Sequence, residues 1–190
     1  MRLFVFFTVL TLVGTLGERS AAQDTIIWKD NIRGWEIRVD QSIGNACFMI
    51  SDYEDGSFLR TQFNPDEDNF QFIIGNDAWK SIEAEKLYPM SVQFGNRAPW
   101  TGDGKGHWWG DTPSLMLNVS FDKGAADDFI DEFMKMTGVI VEYKGQQIAN
   151  LSLNGTYAAM QEVIACQSAM LENSSNSDPF APSSGSDPFK

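Results

Sequence analysis

The chain has 190 residues, of which 43% are hydrophobic and 13% aromatic, and this is enough apolar material for one folded domain with a core. It carries 14 basic and 26 acidic residues, for a formal net charge of −12. So acidic a chain repels phosphate backbones and anionic lipid surfaces. The composition therefore argues against binding to nucleic acid or to an anionic membrane.

The first 22 residues have the pattern of a removable export signal. Arg2 precedes an apolar run over residues 3–16, and Ser-Ala-Ala at residues 20–22 forms a small-residue cleavage site. This run is shorter than the roughly 20 apolar residues of a membrane span, and an uncleaved anchor is the alternative interpretation. We expect cleavage after Ala22, which leaves 12 basic and 25 acidic residues and a net charge of −13.

Export predicts a location in the periplasm or outside the cell. No later segment is long and apolar enough to cross a bilayer, so the sequence predicts no stable membrane insertion once the signal is removed. Two cysteines, Cys47 and Cys166, fit this location, since an even cysteine count in an exported chain indicates a disulfide. Two free thiols or a metal pair are the alternatives, but neither cysteine has CxxC or Cys/His spacing.

Most of the predicted mature chain has the period-2 alternation or the bounded apolar runs of β-strands. Turn residues such as Glu54-Asp55-Gly56 separate consecutive strands, which predicts an antiparallel meander. The predicted strands lie at residues 35–40, 46–50, 57–63, 70–74, 90–94, 114–121, 138–143 and 147–153.

Two segments have helical periodicity. Residues 124–136 place Ala126, Phe129 and Phe133 on one side and acidic residues on the other, which is typical of an amphipathic helix. A second helix is predicted from Thr156 to about Leu171, with Cys166 near its apolar face. The remaining residues, 173–190, contain Asp-Pro-Phe twice and predict a disordered tail.

These elements predict a mainly β, α+β domain over residues 23–172. Six to nine antiparallel strands form a sandwich or a strongly twisted sheet, accompanied by two helices. A disulfide between Cys47 and Cys166 requires the C-terminal helix to pack on the sheet, and the apolar face of that helix requires the same packing.

Several short motifs carry a family resemblance. They are Gly34-Trp35, Cys47 in the next strand, Asn76-x-x-Trp79, and the run Leu-Ser-Leu-x-Gly-Thr-x-Ala-Ala at residues 151–159, followed by Cys166 and the Asp-Pro-Phe tail. With these motifs the chain resembles a group of small exported alphaproteobacterial proteins that carry no assigned activity. Its ending is distantly similar to exported proteins associated with invasion or secretion. The resemblance implies location and architecture, not a mechanism.

The glycine-rich stretch over residues 95–110 is the one candidate for recognition. Its secondary structure is not evident from the sequence, and Gly102, Gly104 and Gly106 favour a flexible loop. Exposed tryptophans on a loop make a rigid stacking platform for sugars or for a protein partner. The alternative is that these tryptophans cap one end of the core. The candidate binding loop consists of Arg97, Trp100, His107, Trp108 and Trp109.

Catalytic signatures are sparse. His107 is the only histidine, no serine lies in a Gly-x-Ser-x-Gly elbow, and a disulfide would remove both thiols. The acidic turn at residues 64–69 lacks the spacing of an EF-hand, so we expect no metal and no cofactor. Carboxylates in turns are candidates for a hydrolytic pair, and the alternative is that they are solvated loop charges. These candidates are Asp66, Glu67, Asp68, Asp103 and Asp111.

The sequence therefore favours a non-enzymatic periplasmic binding or accessory module whose partner is an envelope protein or a glycan. The alternative is a carboxylate-based hydrolase that acts on cell-envelope glycans. Such a hydrolase needs two carboxylates in one concave pocket, one of them with a raised pKa.

Overall fold

The computed structural model describes residues 25–64 and 67–175. Within this part, ten strands form one antiparallel sheet in the order β1-β2-β3-β4-β5-β8-β7-β6-β9-β10, together with two α-helices. The elements are β1 (Thr25–Ile32), β2 (Trp35–Asp40), β3 (Ala46–Asp52), β4 (Ser57–Asn64), β5 (Asn69–Asn76), β6 (Leu87–Phe94), β7 (Trp100–Trp109), β8 (Thr112–Ser120), α1 (Ala125–Lys135), β9 (Gly138–Tyr143), β10 (Gln146–Ser152) and α2 (Thr156–Ser175).

Consecutive strands are neighbours almost everywhere in the sheet. The two exceptions are the β5–β8 and β6–β9 pairs. The first joins a meander of five strands to a reversed meander of three, and the second joins that meander to the β9–β10 hairpin. Short turns suffice for the other strand connections because each links antiparallel neighbours. The predicted mainly β fold with two helices is confirmed.

Both helices pack on one side of the sheet, called here the helix face; the opposite side is called the open face. The apolar side of α1 inserts Phe129 and Phe133 among strand residues of the helix face. The ring centroid of Phe129 lies 4.9 Å from that of Phe94 and 5.7 Å from that of Phe72, in edge-to-face arrangements. Pairs of this kind contribute about 0.5–1.5 kcal/mol each beyond their buried area.

The sheet curves around the helices and brings its two ends together. The indole nitrogen of Trp35 on β2 donates to the carbonyl of Asn154, just after β10, at 3.0 Å. The hydroxyl of Tyr53, which follows β3, donates to the carbonyl of Ser152 at 2.8 Å. These hydrogen bonds join strands that are far apart in the strand order, so the helix face is concave and encloses the core.

The predicted disulfide is present. Cys47 on β3 and Cys166 on α2 are bonded, with their Cα atoms 6.0 Å apart, and both residues are fully buried. Next to the bond, the backbone nitrogen of Cys47 donates to the side-chain oxygen of Gln167 at 2.8 Å. The disulfide and the apolar face of α2 therefore position the C-terminal helix on the same strands, as the sequence predicts.

The predicted signal at residues 1–22 and both Asp-Pro-Phe motifs lie outside the described residues. Helix α2 continues to Ser175, a little beyond the predicted domain boundary at residue 172. No helix within the described ranges combines the length and the apolar character needed to span a bilayer.

The prediction of a loop over Trp100–Trp109 is wrong, because these residues form strand β7. Its glycines alternate along the helix face, where neighbouring groups occupy the space of their missing side chains. A Cβ at Gly104 would overlap the sulfur of Met90, and one at Gly106 would overlap the carbonyl oxygen of Glu83. The alternation was hidden because its inward members are glycines, which carry no hydropathy signal.

The ten strands also exceed the predicted six to nine. Besides β7, the sequence analysis missed β1 (Thr25–Ile32), which lies at one edge of the sheet. This strand has no buried face that would impose period-2 alternation, since Ile26 and Ile27 are 53% and 56% exposed.

The disulfide predicts a large loss of stability when it is removed. The Cys47→Ala/Cys166→Ala variant opens a loop whose ends are 119 residues apart, so the free energy of unfolding should fall by about 4–5 kcal/mol by the chain-entropy argument. Urea unfolding followed by circular dichroism measures this loss, with reduced wild-type protein as the control. An unchanged unfolding midpoint would show that helix packing alone holds α2 in place.

Candidate functional site

A row of buried polar side chains crosses the open face of the sheet. Asp40 on β2, Arg60 and Gln62 on β4, and Gln71 on β5 are all less than 5% exposed, and Arg60 has no exposed surface. They share one face because alternate residues of a strand point to the same side. Neither α1 nor α2 covers this face, so within the described part of the chain the burial arises from neighbouring side chains.

Two aromatic rings enclose the guanidinium of Arg60. Its central carbon lies 3.6 Å from the ring centroid of Phe48 on one side and 3.8 Å from that of Trp109 on the other. Cation–π contacts of this kind stabilise by about 2 kcal/mol or more when the cation is desolvated. The planes of the two rings are inclined at 65° to each other, and together they shield the guanidinium from solvent.

Two of the three guanidinium nitrogens of Arg60 donate hydrogen bonds to neighbouring side chains. Nη2 of Arg60 donates to Asp40 at 2.8 Å, and Nε donates to the side-chain oxygen of Gln62 at 2.5 Å. Gln62 in turn donates to the side-chain oxygen of Gln71 at 2.6 Å, and Asp40 also accepts from the backbone and hydroxyl of Ser42. Nη1 of Arg60 is buried and has no acceptor among the described residues.

Arg60 stays protonated although it is buried. Removal from water lowers the pKa of the guanidinium to about 10, and the hydrogen bond and charge of Asp40 oppose that decrease. Arg60 is therefore a cation at neutral pH, held by one carboxylate, one amide and two rings.

Arg60 lies in the floor of a groove of about 400 Å³, called here the Arg60 groove. A second groove of about 300 Å³, called the Glu36 groove, lies on the same face, and Trp109 lines both. The Arg60 groove is lined by Asp40, Ser42, Ile43, Arg60, Gln62, Asn64, Glu67, Gln71, Ile73, Glu85, Lys105, His107, Trp108, Trp109 and Met116. The Glu36 groove is lined by Thr25, Glu36, Arg38, Phe48, Ile50, Asp52, Phe58, Trp109 and Thr112.

The five residues of the predicted binding loop do not form one surface. His107, Trp108 and Trp109 line the Arg60 groove. Trp100 points to the helix face, where its ring centroid is 5.4 Å from that of Phe129 and its indole nitrogen donates to Glu132. Arg97 is exposed in the turn after β6 and lines neither of the two grooves. Trp100 thus belongs to the core, and Trp109 belongs to the site.

The carboxylates proposed from the sequence are also dispersed. Glu67 lines the Arg60 groove, whereas Asp103 lines a separate groove beside β6 with Glu142. Asp68 and Asp111 are exposed and line neither of these grooves, and Asp66 lies outside the described residues.

A different pair of carboxylates, Glu36 and Asp52, lines the Glu36 groove. Burial raises the pKa of Asp52, the charge of Glu36 raises it further, and Arg38 partly opposes both effects. Asp52 remains exposed, so its desolvation is partial. The pair nevertheless meets the two sequence-level requirements for a hydrolytic site, a shared pocket and one raised pKa.

Sequence reasoning missed the four residues at the centre of the site, Asp40, Arg60, Gln62 and Gln71. One signal was available: Arg60 and Gln62 occupy alternate positions of a strand that also contains Phe58, Leu59 and Phe63. Such an arginine looks solvated because its neighbours on the same face of other strands are not known from the sequence. Phe48 and Trp109 bury it only after five strands have assembled.

Among the described residues, no group of three or more histidine, cysteine, aspartate or glutamate side chains is placed to hold a metal ion. Comparisons with known proteins found no matching family model, curated protein or solved structure. The site is therefore interpreted from its own geometry, and the resemblance to exported alphaproteobacterial proteins stays a prediction.

Replacing the two neighbouring tryptophans separately should have unequal effects. Trp109→Ala uncovers the buried guanidinium and should lower the free energy of unfolding by about 2–4 kcal/mol. Trp108 is 39% exposed, so Trp108→Ala should cost less than roughly 1 kcal/mol. Chemical denaturation of both variants tests this difference, and equal losses would contradict the assignment of Trp109 as the cover of Arg60.

The single histidine predicts a pH dependence. Burial lowers the pKa of His107 from its ordinary 6.5, Lys105 and Arg60 lower it further, and Glu85 partly opposes them. The unfolded state therefore binds the proton more readily, and the native state loses stability as pH falls below about 6.5. Urea unfolding between neutral and mildly acidic pH should show a smaller loss for His107→Gln than for wild type. If wild type and His107→Gln lose the same stability as the pH falls, the lowered pKa of His107 is disproved.

Proposed function

We propose that this protein is an exported, non-enzymatic binding module that holds a small polar ligand in the Arg60 groove. One observation carries the proposal: a charged, buried arginine and its hydrogen-bonded partners Asp40, Gln62 and Gln71 line an open groove on the sheet. This network places fixed polar groups beside a volume that a small ligand can occupy.

The arrangement is costly if stability is its only purpose. Buried ion pairs are often no more stabilising than apolar residues of similar volume, because both charges lose their hydration. Here Asp40, Arg60, Gln62 and Gln71 are buried on a sheet face that neither α1 nor α2 covers. A network of this kind fixes the rotamers of its members in advance, which is what a binding site requires.

The dimensions and the lining of the groove also support small-molecule binding. Its volume of about 400 Å³ lies within the common range of roughly 300–1,000 Å³ for ligand sites. Apolar and aromatic side chains, such as Ile73, Met116 and Trp109, stand beside a few fixed polar groups. This combination provides contact area together with directional hydrogen bonds.

Export is part of the proposal. The apolar N-terminal run with its small-residue cleavage site supports it, and the Cys47–Cys166 disulfide supports it independently. Disulfides form and persist in oxidising compartments and are rare in the cytosol. The resemblance to exported alphaproteobacterial proteins agrees with a periplasmic or secreted location.

A second candidate function is a carboxylate-based hydrolase of envelope glycans. Glu36 and Asp52 favour it, because they share a groove and the pKa of Asp52 is raised. In that mechanism Asp52 would be the general acid and Glu36 the base or nucleophile. Glu36 already accepts two hydrogen bonds from Arg38, at 2.6 and 2.9 Å, which favours a structural role for it.

A thermal-stability screen tests the binding function. The mature protein is melted with classes of small polar compounds: sugars, amino acids, dicarboxylates, nucleotides and polyamines. A ligand at about 100 times its Kd should add roughly 2.7 kcal/mol to the free energy of unfolding, which raises Tm by several degrees. The shift should disappear in Trp109→Ala and persist in the control Trp28→Ala, whose side chain is exposed on β1 and lines neither groove.

If no compound class gives a shift that depends on Trp109, the groove is not a small-molecule site and the proposed function is wrong. Hydrolysis would be the function instead if the protein releases reducing ends from a polymeric glycan. In that case the activity should be abolished in Asp52→Asn and retained in Trp28→Ala.

A further inference from the structure

We propose that the ligand of the Arg60 groove is a neutral oligosaccharide whose sugar units lie on both sides of Trp109. This inference rests on the function proposed above, because it names the ligand class for the same site. Three features of the open face carry it: the pairing of every cation with an acid, the planar polar groups of the groove floor, and the position of Trp109 between the two grooves.

Each cation that lines the two grooves already faces a carboxylate. Arg60 donates to Asp40 at 2.8 Å, and the nitrogen of Lys105 lies 3.2 Å from Glu85. In the Glu36 groove, Arg38 pairs with Glu36 at 2.6 Å. The remaining lining acids, Glu67 and Asp52, add negative charge.

This charge balance selects against charged ligands. An anion would meet more negative than positive charge in both grooves and in the chain as a whole, whose net charge is −12. A cation would have to compete with hydrogen bonds that the acids already accept, such as those from Arg60 and Ser42 to Asp40. A neutral ligand that hydrogen-bonds without displacing these pairs fits best.

The floor of the Arg60 groove offers hydrogen bonds in fixed planes. The guanidinium of Arg60 and the amides of Gln62 and Gln71 form a relay that ends at the amide nitrogen of Gln71. Sugar hydroxyls both donate and accept, and neighbouring hydroxyls on a ring suit such planar groups.

Tryptophan provides the apolar surface on which a sugar ring can stack. A sugar ring presents C–H groups on its face, and an indole is a rigid apolar surface with little conformational entropy to lose. Trp109 lines both grooves. A chain of sugars that extends from one groove into the other must therefore cross Trp109, so longer ligands should make more contacts than a monosaccharide.

Isothermal titration calorimetry of the mature, disulfide-bonded protein tests the ligand class. The ligands are neutral hexose and N-acetylhexosamine series from monosaccharide to tetrasaccharide. Their charged counterparts are hexuronate oligomers and de-N-acetylated hexosamine oligomers of equal length. We expect at least one neutral tetrasaccharide to bind about ten-fold more tightly than its charged counterparts and than its own monosaccharide, a difference of about 1.4 kcal/mol.

Matched variants locate the binding. Gln71→Leu removes the end of the relay and should weaken the neutral tetrasaccharide about ten-fold. Asn118→Leu is the control, because Asn118 is the cross-strand neighbour of Gln71 but is exposed and lines neither groove. Circular dichroism and melting curves establish that both variants are folded before titration.

Tighter binding of a charged series, no gain with length, or equal effects of the two leucine variants would overturn the inference. If neutral oligosaccharides fail while another compound class gives a Tm shift that depends on Trp109, only the ligand class is wrong and the binding function stands. If no class gives such a shift, the proposed function fails and this inference fails with it.

Discussion

The packing of both helices on a single face of the sheet is the constraint on which the rest of this structure depends. Phe129 and Phe133 of α1 and the apolar side of α2 fill the concave helix face. The Cys47–Cys166 bond holds α2 on β2 and β3. Since the ten strands curve around these helices, neither helix covers the other face. Among the described residues, a buried group on that face is therefore enclosed by side chains of the sheet itself.

The open face meets that condition around Arg60. A buried arginine needs its charge balanced and its guanidinium shielded from water, and here Asp40 does the first and Phe48 and Trp109 do the second. The three partners come from β2, β3 and β7, and Arg60 itself lies on β4, so four strands contribute. The network therefore depends on the register of the sheet, and a one-residue slip of any of these strands would turn its member to the helix face.

Trp109 connects the network to the two grooves. Its ring covers Arg60 and also lines the groove on each side, so one side chain serves both the stability of the ion pair and the shape of the open face. His107, two residues earlier on the same face of β7, borders the Arg60 groove. Glycines face the helix side at positions 102, 104 and 106, which lets β7 lie close to Met90 and to the carbonyl of Glu83.

Local patterns in the sequence determined most of the secondary structure, both helices, and the packing of α2 through Cys166. These features depend on neighbours a few residues apart, or on one covalent bond between the only two cysteines. The strand β7 and the site around Arg60 were decided by tertiary structure. Because glycine carries no hydropathy signal, the alternation along β7 is not visible in the sequence. Whether an arginine in a strand is buried or solvated depends on the side chains of other strands. Trp100 and Trp109 show the same limit: similar neighbours in the sequence, but opposite faces once the strand forms.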